Sequence, residues 1–157
     1  MRRLGAVAVL IVLAACSSSR DEPSRAELEA IRQAQNVYPA NYKADIMAFL
    51  RNYLNDPTGI RNAAVSQPQV KELPTGARYV ACLRYEAKKA GGQYAGSRTA
   101  LVVFISGKLD RFVEPPRAGE ARDGAESGEG AARAGEVREA CKDAVLAPFP
   151  ELQHLSR

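Results

Sequence analysis

Thr99-Ala100-Leu101-Val102-Val103-Phe104-Ile105 is the stretch that decides the fold. It is a short, nearly unbroken run of β-branched, aliphatic and aromatic residues. A run of this length and kind fits a strand covered on both faces better than a helix. Upstream, Arg78 to Lys88 alternates. Tyr79, Ala81, Leu83 and Tyr85 share one face, while Arg78, Arg84 and Glu86 share the other with Val80 and Cys82. Downstream, Ser106-Gly107 signals a tight turn, and Lys108 to Val113 returns as a further strand. Ile60 to Val65 reads as a short strand, and Pro68 confines the residues after it to an edge or a loop. Ala90 to Ser97 reads as a glycine-rich loop. The expectation is a four-strand antiparallel meander.

Helices flank this sheet. Tyr42, Ile46, Phe49, Leu50, Tyr53 and Leu54 recur at helical spacing, which predicts a helix from about Asn41, as N-cap, to Leu54. Asp56 precedes Pro57 and is pushed out of helical geometry, so the helix stops there. Before it, Ser24 and Glu27 have capping-box spacing, but only Leu28 and Ile31 are sizeable apolar residues nearby. That predicts a marginal helix. A last helix is expected over Arg133 to Leu146, with Val137, Ala140, Cys141, Ala144 and Val145 on one stripe, ended by Pro148-Phe149-Pro150. Between sheet and helix, Pro115 to Gly135 holds five glycines, two prolines and no aliphatic residue larger than alanine. Such a segment cannot bury enough surface to offset its ordering entropy, and it is expected to be a disordered loop. The fold class is therefore α+β: a small antiparallel meander packed by an N-terminal and a C-terminal helix, with a long disordered loop before the last helix.

The chain begins Met1-Arg2-Arg3, continues through ten mostly apolar residues from Leu4 to Leu13, and reaches Leu13-Ala14-Ala15-Cys16. A basic start, a short apolar run and a small-residue site describe a secretory signal. The run is too short to span a bilayer, which needs roughly 20 apolar residues. Cysteine directly after Leu-Ala-Ala resembles the lipobox of bacterial lipoproteins. That resemblance implies a lipid on the Cys16 thiol, cleavage just before it and acylation of the new N-terminus. Ser17 and Ser18 stand where an inner-membrane retention signal would place Asp, which implies the outer membrane, facing the periplasm. Tyr38-Pro39-Ala40-Asn41-Tyr42-Lys43, Leu54-Asn55-Asp56-Pro57, Gly92-Gln93-Tyr94-Ala95-Gly96 and Pro148-Phe149-Pro150-Glu151-Leu152 together resemble small Gram-negative envelope lipoproteins. This second resemblance implies class and location, and no catalytic residue. The expected organisation is a signal peptide over 1–15, a tether with a marginal helix over 16–37, and one α+β domain over 38–157 with a disordered loop over 115–135.

Charge and cysteine count bound the function. Without residues 1–15, which carry Arg2 and Arg3, 20 basic and 18 acidic residues remain, with their signs interspersed. That is no footprint for nucleic acid. Besides Cys16 the chain has Cys82 and Cys141, 59 positions apart. In an oxidising compartment the pair reads as one disulfide. With His154 as the single histidine and no Cys-x-x-Cys, the sequence offers no metal set and no cofactor motif. His154 stands without a nucleophile framework. Arg78, Arg84, Lys88, Lys89 and Arg98 could form a basic patch or simply a solvated face. Tyr94, between glycines, is a candidate partner contact, or else folds back on the sheet. Tyr38, Tyr42 and Tyr53 read as core or core-rim residues, and Phe149 and Leu152 as residues that dock the C-terminal segment. The expectation is a non-catalytic envelope lipoprotein, held to the membrane by its lipid, that binds an envelope protein or peptidoglycan. The alternatives are an unrecognised envelope enzyme, or a small-ligand carrier or inhibitor.

Overall fold

The computed structural model describes residues 23–89, 91–116 and 128–156. The signal peptide, Cys16 and most of the expected loop lie outside the described residues. The chain is α+β. Its elements in order are α1 (Arg25–Ala34), α2 (Tyr42–Tyr53), β1 (Arg61–Ser66), β2 (Gln69–Leu73), β3 (Gly76–Lys88), β4 (Tyr94–Ile105), β5 (Lys108–Val113), α3 (Glu129–Cys141), β6 (Leu146–Pro148) and α4 (Pro150–Gln153). One antiparallel sheet runs β5-β4-β3-β1-β6, with β2 also paired to β3.

β3 and β4 form the spine of this sheet. β4 contains the run read as the central strand, and Ala100 to Phe104 are all buried. It is sandwiched because two cores lie on opposite faces. On one, Ala81, Leu83 and Tyr85 of β3 and Val102 and Phe104 of β4 meet Tyr42, Ile46 and Leu50 of α2 and Phe149 and Leu152 near α4. On the other, Val80, Cys82, Leu101, Val103 and Val113 meet Val137 and Ala140 of α3. The period-2 split of Arg78 to Lys88 is thus real, with both faces buried along its middle.

The structure corrects several expectations. The sheet has six strands. β2 forms after Pro68 and uses the same edge of the long β3 that β1 uses farther along: Gln69 faces Val80, while Val65 faces Leu83. Proline at the break costs no ladder bond, because no strand continues through it. The expected last helix is shifted. α3 starts at Glu129 and ends at Cys141, and Leu146 to Pro148 form β6 against Ser66 to Ala64. Residues 129–135 are therefore helical, where composition predicts a disordered loop. Poor burial is not poor helix propensity: Ala131, Ala132 and Ala134 favour helix, and Glu129 pairs with Arg133 one turn on. Pro148 fits β6 because that strand lies at the sheet edge.

Local signals behave unevenly. The Ser24–Glu27 capping box forms in both directions. Asn41 sits at the N-cap of α2, but its side chain makes no capping bond. Tyr53 belongs to the α2 periodicity yet is 49% exposed, stacked on Phe49 and tilted against Phe112. The expected loop over Ala90 to Ser97 shrinks, since Tyr94 already opens β4. Between Tyr94 and Ser97 β4 spends one more residue than β3 does opposite, and Gly96 at φ +82° absorbs it.

Candidate functional site

α3 is held to the sheet by little apolar surface and by one sulfur pair. Only Val137 and Ala140 of this thirteen-residue helix are buried. Cys141, its last residue, lies beside Cys82 of β3 as a disulfide, with Cα atoms 5.8 Å apart. The bond forms at the boundary of the α3-side core, where Cys82 is 2% exposed. An ion pair also braces the helix to β5, from Arg111 to Glu136 at 2.7 Å.

A groove of about 510 Å³ opens between α3 and the β2–β3 hairpin. Leu73, Pro74, Ala132, Gly135 and Ala140 line its apolar part, and Lys71, Glu72, Glu139 and Lys142 supply charge around it. Lys142 donates to Glu139 at 2.5 Å. That bond holds the Glu139 carboxyl below its ordinary range and the Lys142 ammonium above its own. A Cβ built on Gly135 would meet nothing within 4 Å, so this helix position faces open space in the groove. The wall is smooth because small residues recur along that side of α3.

A second polar centre lies where β5 leaves the sheet. The Glu114 side chain is 4% exposed and pairs with Arg98 at 2.9 Å. It accepts the Tyr85 hydroxyl at 2.5 Å and the Tyr53 hydroxyl at 3.2 Å. Burial first, and the neighbouring Glu114 carboxylate second, push the Tyr85 phenol far above its usual range. A neutral phenol and a charged guanidinium thus share one buried carboxylate. Arg98 also donates to the Pro115 carbonyl at 3.2 Å. These contacts tie β3, β4, α2 and the exit of β5 together, and both carboxyl oxygens of Glu114 are engaged. The arrangement does structural work. The sequence carries a partial signal for it: Glu114 stands two residues after Phe112, on the same face of β5, although the two prolines after it make it resemble the start of a loop.

The candidate residues read from the sequence are dispersed. Tyr94 stands on β4, donates to the Gly59 carbonyl at 2.7 Å, and carries the Arg61 guanidinium over its ring at 4.0 Å. It fastens the turn before β1 instead of projecting from a free loop, because Gly91-Gly92 make the hairpin and leave Tyr94 inside the strand. The basic patch does not assemble. Arg78 is 7% exposed, Lys88 pairs with Asp56 at 3.6 Å, Arg98 is spent on Glu114, and Arg84 and Lys89 remain exposed. His154 is exposed at the end of α4. Tyr42 is core, whereas Tyr38 is 47% exposed and meets Tyr79 edge to face. Phe149 and Leu152 are fully buried, as docking residues should be. Among the described residues no His, Cys, Asp and Glu group has metal-binding geometry, and no helix is long and apolar enough to cross a membrane. No protein family, curated protein or solved structure matches this chain.

Proposed function

We propose that this chain is a non-catalytic lipoprotein of the bacterial cell envelope. Lipid on Cys16 anchors it to the outer membrane, and its domain, facing the periplasm, binds another envelope protein. The observation that carries this reading is the division of the three cysteines. Cys82 and Cys141 consume each other, which leaves the lipobox Cys16 for other chemistry. A disulfide on an exported domain also suits an oxidising compartment. More than one acyl chain on that cysteine makes attachment effectively permanent, at about 0.8 kcal/mol per buried methylene.

The groove beside α3 supports a protein as the bound component over a glycan. Its surface is apolar, as side chains of a protein segment require, and its charges have both signs. Tyr94 is left out of this contact, because both its hydroxyl and its ring serve the domain itself.

Metabolic labelling with a fatty acid tests the anchor. Label is expected on the native chain and lost in Cys16→Ser, and label that persists on the variant rejects it. For the partner, crosslinked envelopes are compared between the native chain and Gly135→Arg. The new Cβ meets open space in the groove, into which the arginine extends. A discrete crosslinked species should vanish in the variant while thermal stability holds. Identical crosslinking would remove the groove as the contact. Substrate turnover by the purified protein alone would replace the non-catalytic reading.

A further inference from the structure

α1 packs only lightly on the domain, with Arg32 against Gly76 of the β2–β3 turn. None of its residues is buried. The capping box at Ser24 and Glu27 holds its first turn, and among the described residues the helix is tied down near its C-terminal end. There the Gln35 carbonyl accepts the Ser106 amide at 2.7 Å, and Val37 lies against Gly107 of the β4–β5 turn. Four large apolar side chains left exposed fall within this short segment: Leu28 at 38%, Ile31 at 50%, Val37 at 51% and Tyr38 at 47%. The surface continues onto the sheet. Tyr38 meets Tyr79 with ring centroids 5.4 Å apart, and Tyr79 pairs with the exposed Val70 of β2. A contiguous exposed apolar surface marks a protein or membrane contact.

We propose that α1 and the segment through Tyr38 form a membrane-facing surface that lies on the leaflet holding the Cys16 lipid. This rests on the anchor proposed above. Position along the chain selects the occupant. Ser24, the N-cap, is eight residues after Cys16, so the chain can extend no more than about 28 Å between them. A bilayer is the one apolar phase that the anchor keeps within that reach at all times, at high effective concentration. An amphipathic helix lies in the interface plane with its apolar side toward the acyl chains. Tyr38 has the amphipathic ring that interfaces favour. Charge fixes the lipid class. α1 carries Arg25 and Arg32 against Glu27 and Glu29, with Arg32 paired to Glu29 at 3.1 Å and Glu27 spent on Ser24. Without net charge, the contact needs no anionic headgroup and is insensitive to salt. The domain is then held with its β2–β3 and β4–β5 turns toward the leaflet.

The test places an environment-sensitive fluorophore at Leu28→Cys, Ile31→Cys or Gln33→Cys; Gln33 lies on the opposite side of the helix. Each labelled protein, lipidated and purified from membranes, is reconstituted in phosphatidylethanolamine–phosphatidylcholine vesicles containing brominated acyl chains. A second arm uses the full chain with Cys16→Ser, held to nickel-chelating vesicles by an N-terminal hexahistidine tag. Bromolipid quenching is expected at positions 28 and 31, much less at 33, and unchanged by salt. A probe at Ala34→Cys should lose its quenching when Leu28→Glu and Ile31→Glu are combined. Equal quenching at all three positions, or none in either arm, overturns the proposal. So does a blue shift at 28 and 31 that grows with protein concentration without bromolipid quenching, which would assign the face to a second copy. Quenching in the tethered arm, with no fatty-acid label on the native chain, upholds the docking face and rejects the lipid anchor. Label without quenching does the reverse.

Discussion

Reducing the Cys82–Cys141 bond should loosen the domain from one side. Reduction removes no atoms, so no cavity is made and the whole effect is the lost constraint. The bond closes a loop of 59 positions. In the chain-entropy model, closure of such a loop restricts the unfolded ensemble by about 4 kcal/mol at 25 °C. Against that, α3 contributes two buried side chains, Val137 and Ala140. Full burial of a valine is worth about 1.5–3 kcal/mol and an alanine less. Fixing each helical residue costs roughly 1 kcal/mol in backbone entropy. Gly130 and Gly135 within the helix each add about 0.5–1 kcal/mol of penalty. The apolar contacts of α3 alone are therefore marginal, and the bond decides whether the helix stays docked. Native-state hydrogen exchange with and without a phosphine reductant reads this directly. Amides of 129–141 should lose protection first, while β3, β4 and the Phe149–Leu155 segment keep theirs. Denaturant unfolding should show a stability loss of up to about 4 kcal/mol. Thiol titration of the unfolded, unreduced protein should find neither Cys82 nor Cys141. Equal protection of α3 and β4 after reduction would refute the reasoning, since the helix would then be holding itself.

Three further outcomes are expected from the same contacts. Glu114→Ala should cost about 3 kcal/mol or more in chemical denaturation, because it strands the Arg98 charge and the fully buried Tyr85 hydroxyl together. A variant as stable as the native chain would mean that water replaces the carboxylate. The Ser24 contacts lower the Glu27 pKa, so the capping box stabilises α1 when that carboxylate is charged. Its contribution is present above the ordinary glutamate pKa and disappears as pH falls through the lowered folded value. Protection of the Ser24, Glu27 and Leu28 amides, taken relative to their intrinsic exchange rates, should fall on acidification in the native chain and show no such acid step in Glu27→Gln. Gly135→Ala should raise stability by about 0.5–1 kcal/mol, since the new Cβ points into open space and only the helix-propensity gain remains; a lower melting temperature would show that the groove closes on this position.

The meander is legible because its signals are short-range. The continuous run of β4 and the alternation of β3 are each contained in about ten residues, and the order β5-β4-β3-β1 comes from joining neighbours. β2 and β6 are not legible, because each owes its existence to a distant partner. Gln69–Leu73 is a strand since β3 is long enough to offer it an edge, and Leu146–Pro148 is one since β1 lies open beside it. For α3, low hydrophobicity imitates disorder, yet a tethered helix needs little apolar surface of its own. The candidate site meets the same limit. Tyr94 looks available in sequence, where the carbonyl of Gly59, 35 residues away, is out of view. The groove is lined from both a hairpin and a helix, so no local pattern announces it.

The Phe149–Leu155 segment closes the α2-side core from late in the chain. The Phe149 amide donates to the Ala63 carbonyl at 2.8 Å, Leu152 and Leu155 are buried beside it, and Lys43 and Arg51 of α2 reach Glu151 and the Ser156 carbonyl. During synthesis, α2 and the sheet emerge long before the residues that cover them. Part of their shared face stays wet until Phe149 to Leu155 are delivered, so the α2-side core closes only then. On the export proposed above, that delay keeps the preceding segments pliable while they pass a narrow translocation pore.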